Sequence, residues 1–80
     1  MAKYRVEYTP QAKAQYDSLP LLAKAALRAL LAKMSRDPWN FGREYPGGKR
    51  CCDFAGFGLV VYRVHDDVVV IEVIDITWAK

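Results

Sequence analysis

The sequence is poor in the residues that mark metal sites and disulfide scaffolds. It holds one histidine, His65, and two cysteines, Cys51 and Cys52, which are neighbours. Adjacent residues on a strand point to opposite faces, and a ring closed between them would be strained, so two reduced thiols acting as small apolar side chains are expected. The spaced Cys/His pairs of a zinc site are missing, and no metal or other cofactor is expected. No apolar run approaches the ~20 residues of a membrane helix, and Met1 to Tyr8 carries no signal-peptide core. A cytoplasmic protein with no membrane contact is the expectation. Internal repeats, low-complexity tracts and any linker long enough to separate a pair of domains are also absent.

What is present suits one hydrophobic core. The 80 residues are 52% apolar and 26% charged, which predicts a single domain over residues 1–80. A domain of this size packs well or leans on a partner, so a homodimer or a complex is open from composition alone. The net charge of +3 conceals an uneven distribution. Residues 1–50 carry ten Lys/Arg against four Asp/Glu, or +6, and residues 51–80 carry two against five, or −3. The positive half can track a phosphate backbone, or it can simply present solvated helix faces.

Periodicity orders the elements. Lys3, Arg5 and Glu7 alternate with Tyr4, Val6 and Tyr8, predicting a strand with one wet and one buried face. Thr9 before Pro10 is a helix start, and that helix runs to about Asp17. Ser18-Leu19-Pro20 restarts a second helix whose Leu27, Leu30, Leu31 and Met34 form a buried stripe, while Lys24, Arg28 and Ala32 keep another face wet. Asp37-Pro38 ends that helix, and Trp39 to Gly48 reads as a loop with a Gly47-Gly48 turn. Strands are expected at about Lys49–Phe54, Leu59–His65 and Val68–Trp78, all antiparallel.

A two-residue tip at Asp66-Asp67 would pair His65 with Val68, Arg63 with Val70, Tyr62 with Ile71 and Val61 with Glu72. Val60, Tyr62, Val64, Val69, Ile71 and Val73 then face the helices. The other face carries Leu59, Val61, Arg63, His65, Val68, Val70, Glu72 and Ile74. Polar groups set in apolar surface suit a binding concavity or an interface, although Arg63 and Glu72, as diagonal neighbours, can also just pair. The expected class is α+β: an N-terminal strand, a two-helix hairpin, then a three-stranded antiparallel meander, β-α-α-β-β-β.

Several local marks occur in a recognisable order: Tyr4-Arg5-Val6 leading to Thr9-Pro10 and Ala12, then Leu19-Pro20, Asp37-Pro38, and Gly56 leading through Val60-Val61-Tyr62-Arg63-Val64. Over nearly the whole chain this order resembles the RelE/ParE superfamily of bacterial type II toxins. The resemblance implies a cognate antitoxin whose disordered or helical segment covers the working face. RelE-like members cut mRNA on the ribosome, whereas ParE-like members inhibit DNA gyrase without being nucleases, and a shared fold does not choose between them.

Cleavage by the 2′-OH route needs a proton acceptor, positive charge on the phosphorane-like transition state, and a donor to the leaving 5′ oxygen. Lys49 and Arg50 match the family's basic position after the loop, and Arg63 with His65 could add charge and a proton carrier. These four are the catalytic candidates, with Arg43, Lys49, Arg50, Lys24 and Arg28 as RNA contacts. His65 has the alternative of a solvated or structural residue beside a turn. Trp39, Phe41 and Tyr45 can stack on bases or close the core, and Trp78 falls by alternation with Ile74 and Ile76.

Two departures from the family pattern stand out. Its Gly-x-x-Arg lands on Gly56-Phe57-Gly58-Leu59, with leucine in the arginine position, and Asp75-Ile76-Thr77-Trp78 offers no Lys, Arg, His or Tyr. The expected function is a RelE/ParE-like toxin that inhibits translation by ribosome-dependent mRNA cleavage through an atypical or degenerate site. The alternatives are a non-enzymatic, ParE-like inhibitor of gyrase and a non-toxic binding homologue.

Overall fold

Thr9 caps the first helix as its position before proline predicts, with Oγ1 accepting from the Ala12 N–H at 3.1 Å and Pro10 opening the first turn. In the computed structural model, which describes residues 3–79, this follows a short strand and begins a helical pair. The elements are β1 (Arg5–Tyr8), α1 (Pro10–Asp17), α2 (Leu21–Met34), a 3₁₀ turn (Pro38–Asn40), β2 (Arg43–Tyr45), β3 (Lys49–Phe54), β4 (Gly58–His65) and β5 (Val70–Trp78). Leu27, Leu31 and Met34 of α2 are buried on the sheet and Leu30 is half-buried, so the expected stripe is the observed one. Ala12, Val60, Tyr62, Ile71 and Val73 complete the centre of the core.

The strands form one sheet in the order β1-β5-β4-β3-β2. Four points differ from the expected architecture. The first is β2, a fourth strand after the helices where a loop was expected. Its three residues are all exposed, so no burial alternation betrays it. Glycines on both sides make it possible. Gly42, at φ +72°, sits where a Cβ would collide with the Cys51 carbonyl oxygen and the Tyr62 hydroxyl, while Gly47 and Gly48 reverse the chain so that Tyr45 pairs with Lys49.

Second, β1 runs parallel to β5, pairing Arg5 with Val70 and Tyr8 with Val73, so the sheet is not wholly antiparallel. The two helices return the chain across the sheet before β2, which lets β1 and β5 point the same way.

Third, the β4–β5 tip has four residues, Asp66 to Val69, and His65 pairs with Val70 and Arg63 with Glu72. A two-residue turn needs positive φ at its centre, which Asp-Asp without glycine suits poorly. The longer tip instead gives Asp66 to two donors, the Tyr4 hydroxyl at 2.6 Å and the Trp39 indole N–H at 3.0 Å. The shift is by two residues, so each side chain near the tip keeps its expected face.

Fourth, a bulge interrupts β5, since Tyr62 pairs with Val73 but Val61 with Asp75, leaving Ile74 as the extra residue. Strict alternation would put Ile76 and Trp78 on the face opposite Ile71 and Val73. The bulge returns them to the helix side, where Ile76 is buried and Trp78 stacks on Phe54 at 5.9 Å.

Candidate functional site

Strand register builds a charged row on the sheet face turned away from the helices. Tyr62 lies in the helix-side core, so its neighbour Arg63 points the other way, as do Val61 and His65. Tyr45 pairs with Lys49, Arg63 with Glu72 and Glu72 with Glu7. Because Arg50 opposes Tyr62, one further step sets Lys49 beside Arg63. The row thus crosses all five strands as Tyr45, Lys49, Arg63, Glu72 and Glu7, with His65 two residues along β4 from Arg63.

The charges along this row are not evenly compensated. His65 Nε2 meets Glu72 Oε1 at 3.0 Å, and Arg5 Nε donates to Glu7 Oε2 at 2.8 Å, so the β1 side is internally paired. Glu72 is therefore the partner of His65 and not of Arg63, although Arg63 lies directly opposite it. Arg63 Nη2 donates to the Gly47 carbonyl at 3.2 Å, which holds its stem against the β2–β3 turn and leaves its charge without a carboxylate among the described residues. Lys49 Nζ stands 5.8 Å from the Tyr45 ring centroid, likewise without a carboxylate among them. Positive charge is left at Lys49 and Arg63.

The other candidates fall elsewhere. Arg50 is on the helix side, its Nη2 donating to the Phe41 carbonyl at 2.8 Å and its guanidinium 5.2 Å from the centroid of Trp39. It braces the 3₁₀ turn and does not share a face with Lys49, as alternation along β3 requires. Its Nε is buried with no hydrogen-bond partner among the described residues. Arg43 meets Asp53 at 3.4 Å, and that contact holds its guanidinium even more firmly charged while cancelling its field. Lys24 lies over the Tyr16 ring, and Arg28 lines a groove with Tyr4, Val6 and Tyr8 beside β1, at the sheet edge opposite β2. The five expected RNA contacts are not one surface.

Leu59 lies on the open sheet face, half-buried between Asp53 and Thr77 on the neighbouring strands, so no cation stands at that position. Asp75 is engaged by α1, accepting from Gln11 Nε2 at 3.0 Å and Gln15 Nε2 at 2.7 Å, a structural use the sequence did not signal. Cys51 and Cys52 lie on opposite faces of β3, and burial pushes the Cys52 thiol up, away from the nucleophilic thiolate. Among the described residues, no group of three or more His, Cys, Asp or Glu side chains could hold a metal ion. No helix among them is long and apolar enough to cross a membrane.

Chemically, Lys49 and Arg63 can stabilise an anion, and an imidazole oriented by a carboxylate can exchange a proton. The residue that sequence reasoning placed least well is Tyr45, named only for stacking but set directly beside Lys49. Pro46-Gly47-Gly48 between two short strand-capable segments was the available signal for that hairpin.

No protein-family model and no curated protein matches the sequence. Solved structures do match. A chain of the RelBE2 toxin-antitoxin complex from Mycobacterium tuberculosis superposes with a TM-score of 0.85 at 22% identity, covering 98% of this chain and 93% of that one. A chain of the intact E. coli RelBE complex gives 0.85 at 20%, covering 96% and 98%. The isolated E. coli RelE toxin gives 0.82 at 19%, covering 96% and 85%. The fold is that of the RelE toxins. The RelE-like fold covers nearly the whole chain, and the row from Tyr45 to Glu7 lies on its open sheet face.

Proposed function

We propose that the chain is a RelE-like toxin that inhibits translation in the cytoplasm by cutting mRNA on the ribosome. The observation that carries this reading is the adjacency of Lys49 and Arg63, two cations without carboxylate partners among the described residues, next to a His65–Glu72 pair on the uncovered face of a RelE-type sheet. In that mechanism Glu72 orients the ring through Nε2, leaving Nδ1 to take the 2′-OH proton. Arg63 and Lys49 face the charge that builds on the phosphorane, and the Lys49 ammonium donates to the leaving 5′ oxygen. Arg50 acts at a distance, as a positioning residue that holds the loop before β2. No metal or cofactor enters these steps.

A cognate antitoxin belongs to the same reading. The structural neighbours include chains of toxin-antitoxin complexes. The open face here, with the half-buried Leu59 and the charged Lys49 and Arg63, offers a partner segment both apolar and ionic contacts. Induced expression in bacteria tests the proposal: growth arrest with cleavage localised within translated codons is expected, and Arg63→Ala should abolish both. Unimpaired growth with intact messages would remove the nuclease reading.

Leu59 in the arginine position favours a second reading, a non-enzymatic ParE-like inhibitor of gyrase or a non-toxic binding homologue. Loss of supercoiling by purified gyrase at saturating protein, with translated mRNA left intact, would put the gyrase inhibitor in place of the nuclease.

A further inference from the structure

At the end of β4 away from the Asp66 to Val69 tip lies a groove of about 420 Å³ whose described lining is wholly apolar. Pro20, Leu22 and Ala23 from the start of α2, Ala55 and Phe57 from the β3–β4 turn, and Trp78 from the end of β5 form it. We propose that two copies of the chain associate through this groove, as a weak two-fold dimer. Arg63 is five residues along β4 from Gly58, roughly 17 Å of strand, so the dimer leaves both Lys49 and Arg63 pairs uncovered. The inference does not depend on whether the chain cuts RNA.

Large apolar side chains stand in water around this groove. Leu21 and Leu22 are 82% and 86% exposed and Phe57 is 49% exposed, and covering them releases the water they order. The wall is already fixed, since Phe57 meets Trp78 edge-on at 5.8 Å and Trp78 stacks on the buried Phe54 at 5.9 Å. Docking therefore has little left to order on that side. Leu21 sits between the lining residues Pro20 and Leu22, so each copy carries both a projecting leucine and a groove to receive one. That is the condition for an isologous contact, in which the same patch serves on both partners. A patch of this kind covers a few hundred Å² on each copy, so the pair buries on the order of 1,000 Å², the lower end for specific association.

Charge favours a second copy over other occupants. The charged side chains that flank these segments along the chain are engaged: Asp17 by Lys13 at 2.9 Å, Asp53 by Arg43 at 3.4 Å, and Lys24 over the Tyr16 ring at 5.8 Å. Neither a phosphate backbone nor an anionic lipid surface meets an unengaged cation among the described residues of the groove. On its other surfaces a chain of net charge +3 repels its own copy. The row at Lys49 and Arg63 would oppose like charges, and so would α2 laid beside α2, because that helix carries Lys24, Arg28 and Lys33 and no acid. The groove is an apolar surface where two such chains meet without that cost.

The test is sedimentation equilibrium of the full chain up to about 1 mM, where weak interfaces become populated, paired with a dilution series of the ¹⁵N-labelled chain followed by its two indole N–H resonances. A monomer–dimer equilibrium is expected, with the Trp78 signal moving on dilution and the Trp39 signal fixed. High salt should leave association unchanged or tighten it, because screening relieves the repulsion between like-charged copies. Leu22→Glu should raise the dissociation constant at least about tenfold, and a carboxylate in the first turn of α2 suits the helix dipole, so the fold should hold. Leu21→Glu provides a second reading of the same contact, and Ala29→Glu, exposed on the same helix outside the groove, should leave association intact. A chain monomeric at about 1 mM, a dimer that dissolves in high salt or survives both leucine substitutions, or movement of Trp39 in place of Trp78 would overturn the proposal. A monomeric chain that pellets with phosphatidylglycerol vesicles would overturn it too, and would give the groove to lipid.

Discussion

Arg50 and Arg63 are both arginines on neighbouring strands, and the direction of each side chain decides what it does. Arg63 reaches the open face with its charge unspent, while Arg50 reaches the helix side and spends its charge on a carbonyl and an indole. Their substitutions should separate cleanly. Arg63→Ala is expected to lower RNA cleavage by roughly 10²–10³-fold, the scale for losing one transition-state charge contact. Its thermal midpoint should stay within a few degrees. Arg50→Ala is expected to cost about 2 kcal/mol of stability, from one charge-assisted hydrogen bond and one cation–π contact, read as a lower urea midpoint. Alternation along β3 already separates Lys49 from Arg50 in the sequence, so their difference was legible. The partner of Glu72 was not, because choosing His65 over Arg63 depended on a register set by the length of the tip.

At the scale of elements, the β4–β5 tip concentrates the least legible features. Val69 adopts φ +57°, a conformation that β-branched residues rarely take, while its carbonyl accepts from the Arg5 N–H at 2.9 Å. Val69→Gly keeps that hydrogen bond and releases the strain, so it should stabilise the chain by ~1 kcal/mol, seen as a raised urea midpoint.

The same tip is fastened by Asp66. Hydrogen bonds from Tyr4 and Trp39 hold the Asp66 carboxyl below its usual range, and the Tyr4 hydroxyl is pushed up, chiefly by its hydrogen bond to Asp66. A lowered carboxylate stabilises the fold above its unfolded value and loses that contribution as pH falls through the folded one. A raised phenol stabilises below its unfolded value and loses that contribution as pH rises through the folded one. Fastening should therefore hold across neutral pH and weaken in acid and in strong alkali. The Trp39 indole resonance should report both limbs, and Asp66→Asn should flatten the acid one. The helices, by contrast, were readable from Thr9-Pro10, Pro20 and the leucine stripe, since local chemistry alone forms them. The strand β2, with three exposed residues, had only its flanking glycines and proline to announce it.

Over the whole molecule, the uneven charge of the sequence becomes an arrangement of faces. The excess of positive charge in residues 1–50 does not gather on one surface, because on α2 Lys24 lies over Tyr16 and Arg28 lines the groove beside β1, whereas Lys49 goes to the open face beside Arg63. A count of charges could not foresee that division, which follows from strand order. Nor could it foresee the bulge at Ile74, which moves Ile76 and Trp78 back to the helix side and leaves Asp75 to α1. The polar surface gathered on the open face is small: two cations, one imidazole held by a carboxylate and one tyrosine on a RelE-type sheet.

Cleavage in a reconstituted translation reaction, with ribosomes stalled on a defined codon, tests that surface most directly. The purified chain is predicted to cut the message within the vacant decoding site, to leave the same RNA intact without ribosomes, and to lose the activity in Arg63→Ala at an unchanged melting temperature. An intact message at protein equimolar with ribosomes, or undiminished cutting by Arg63→Ala, would contradict the account.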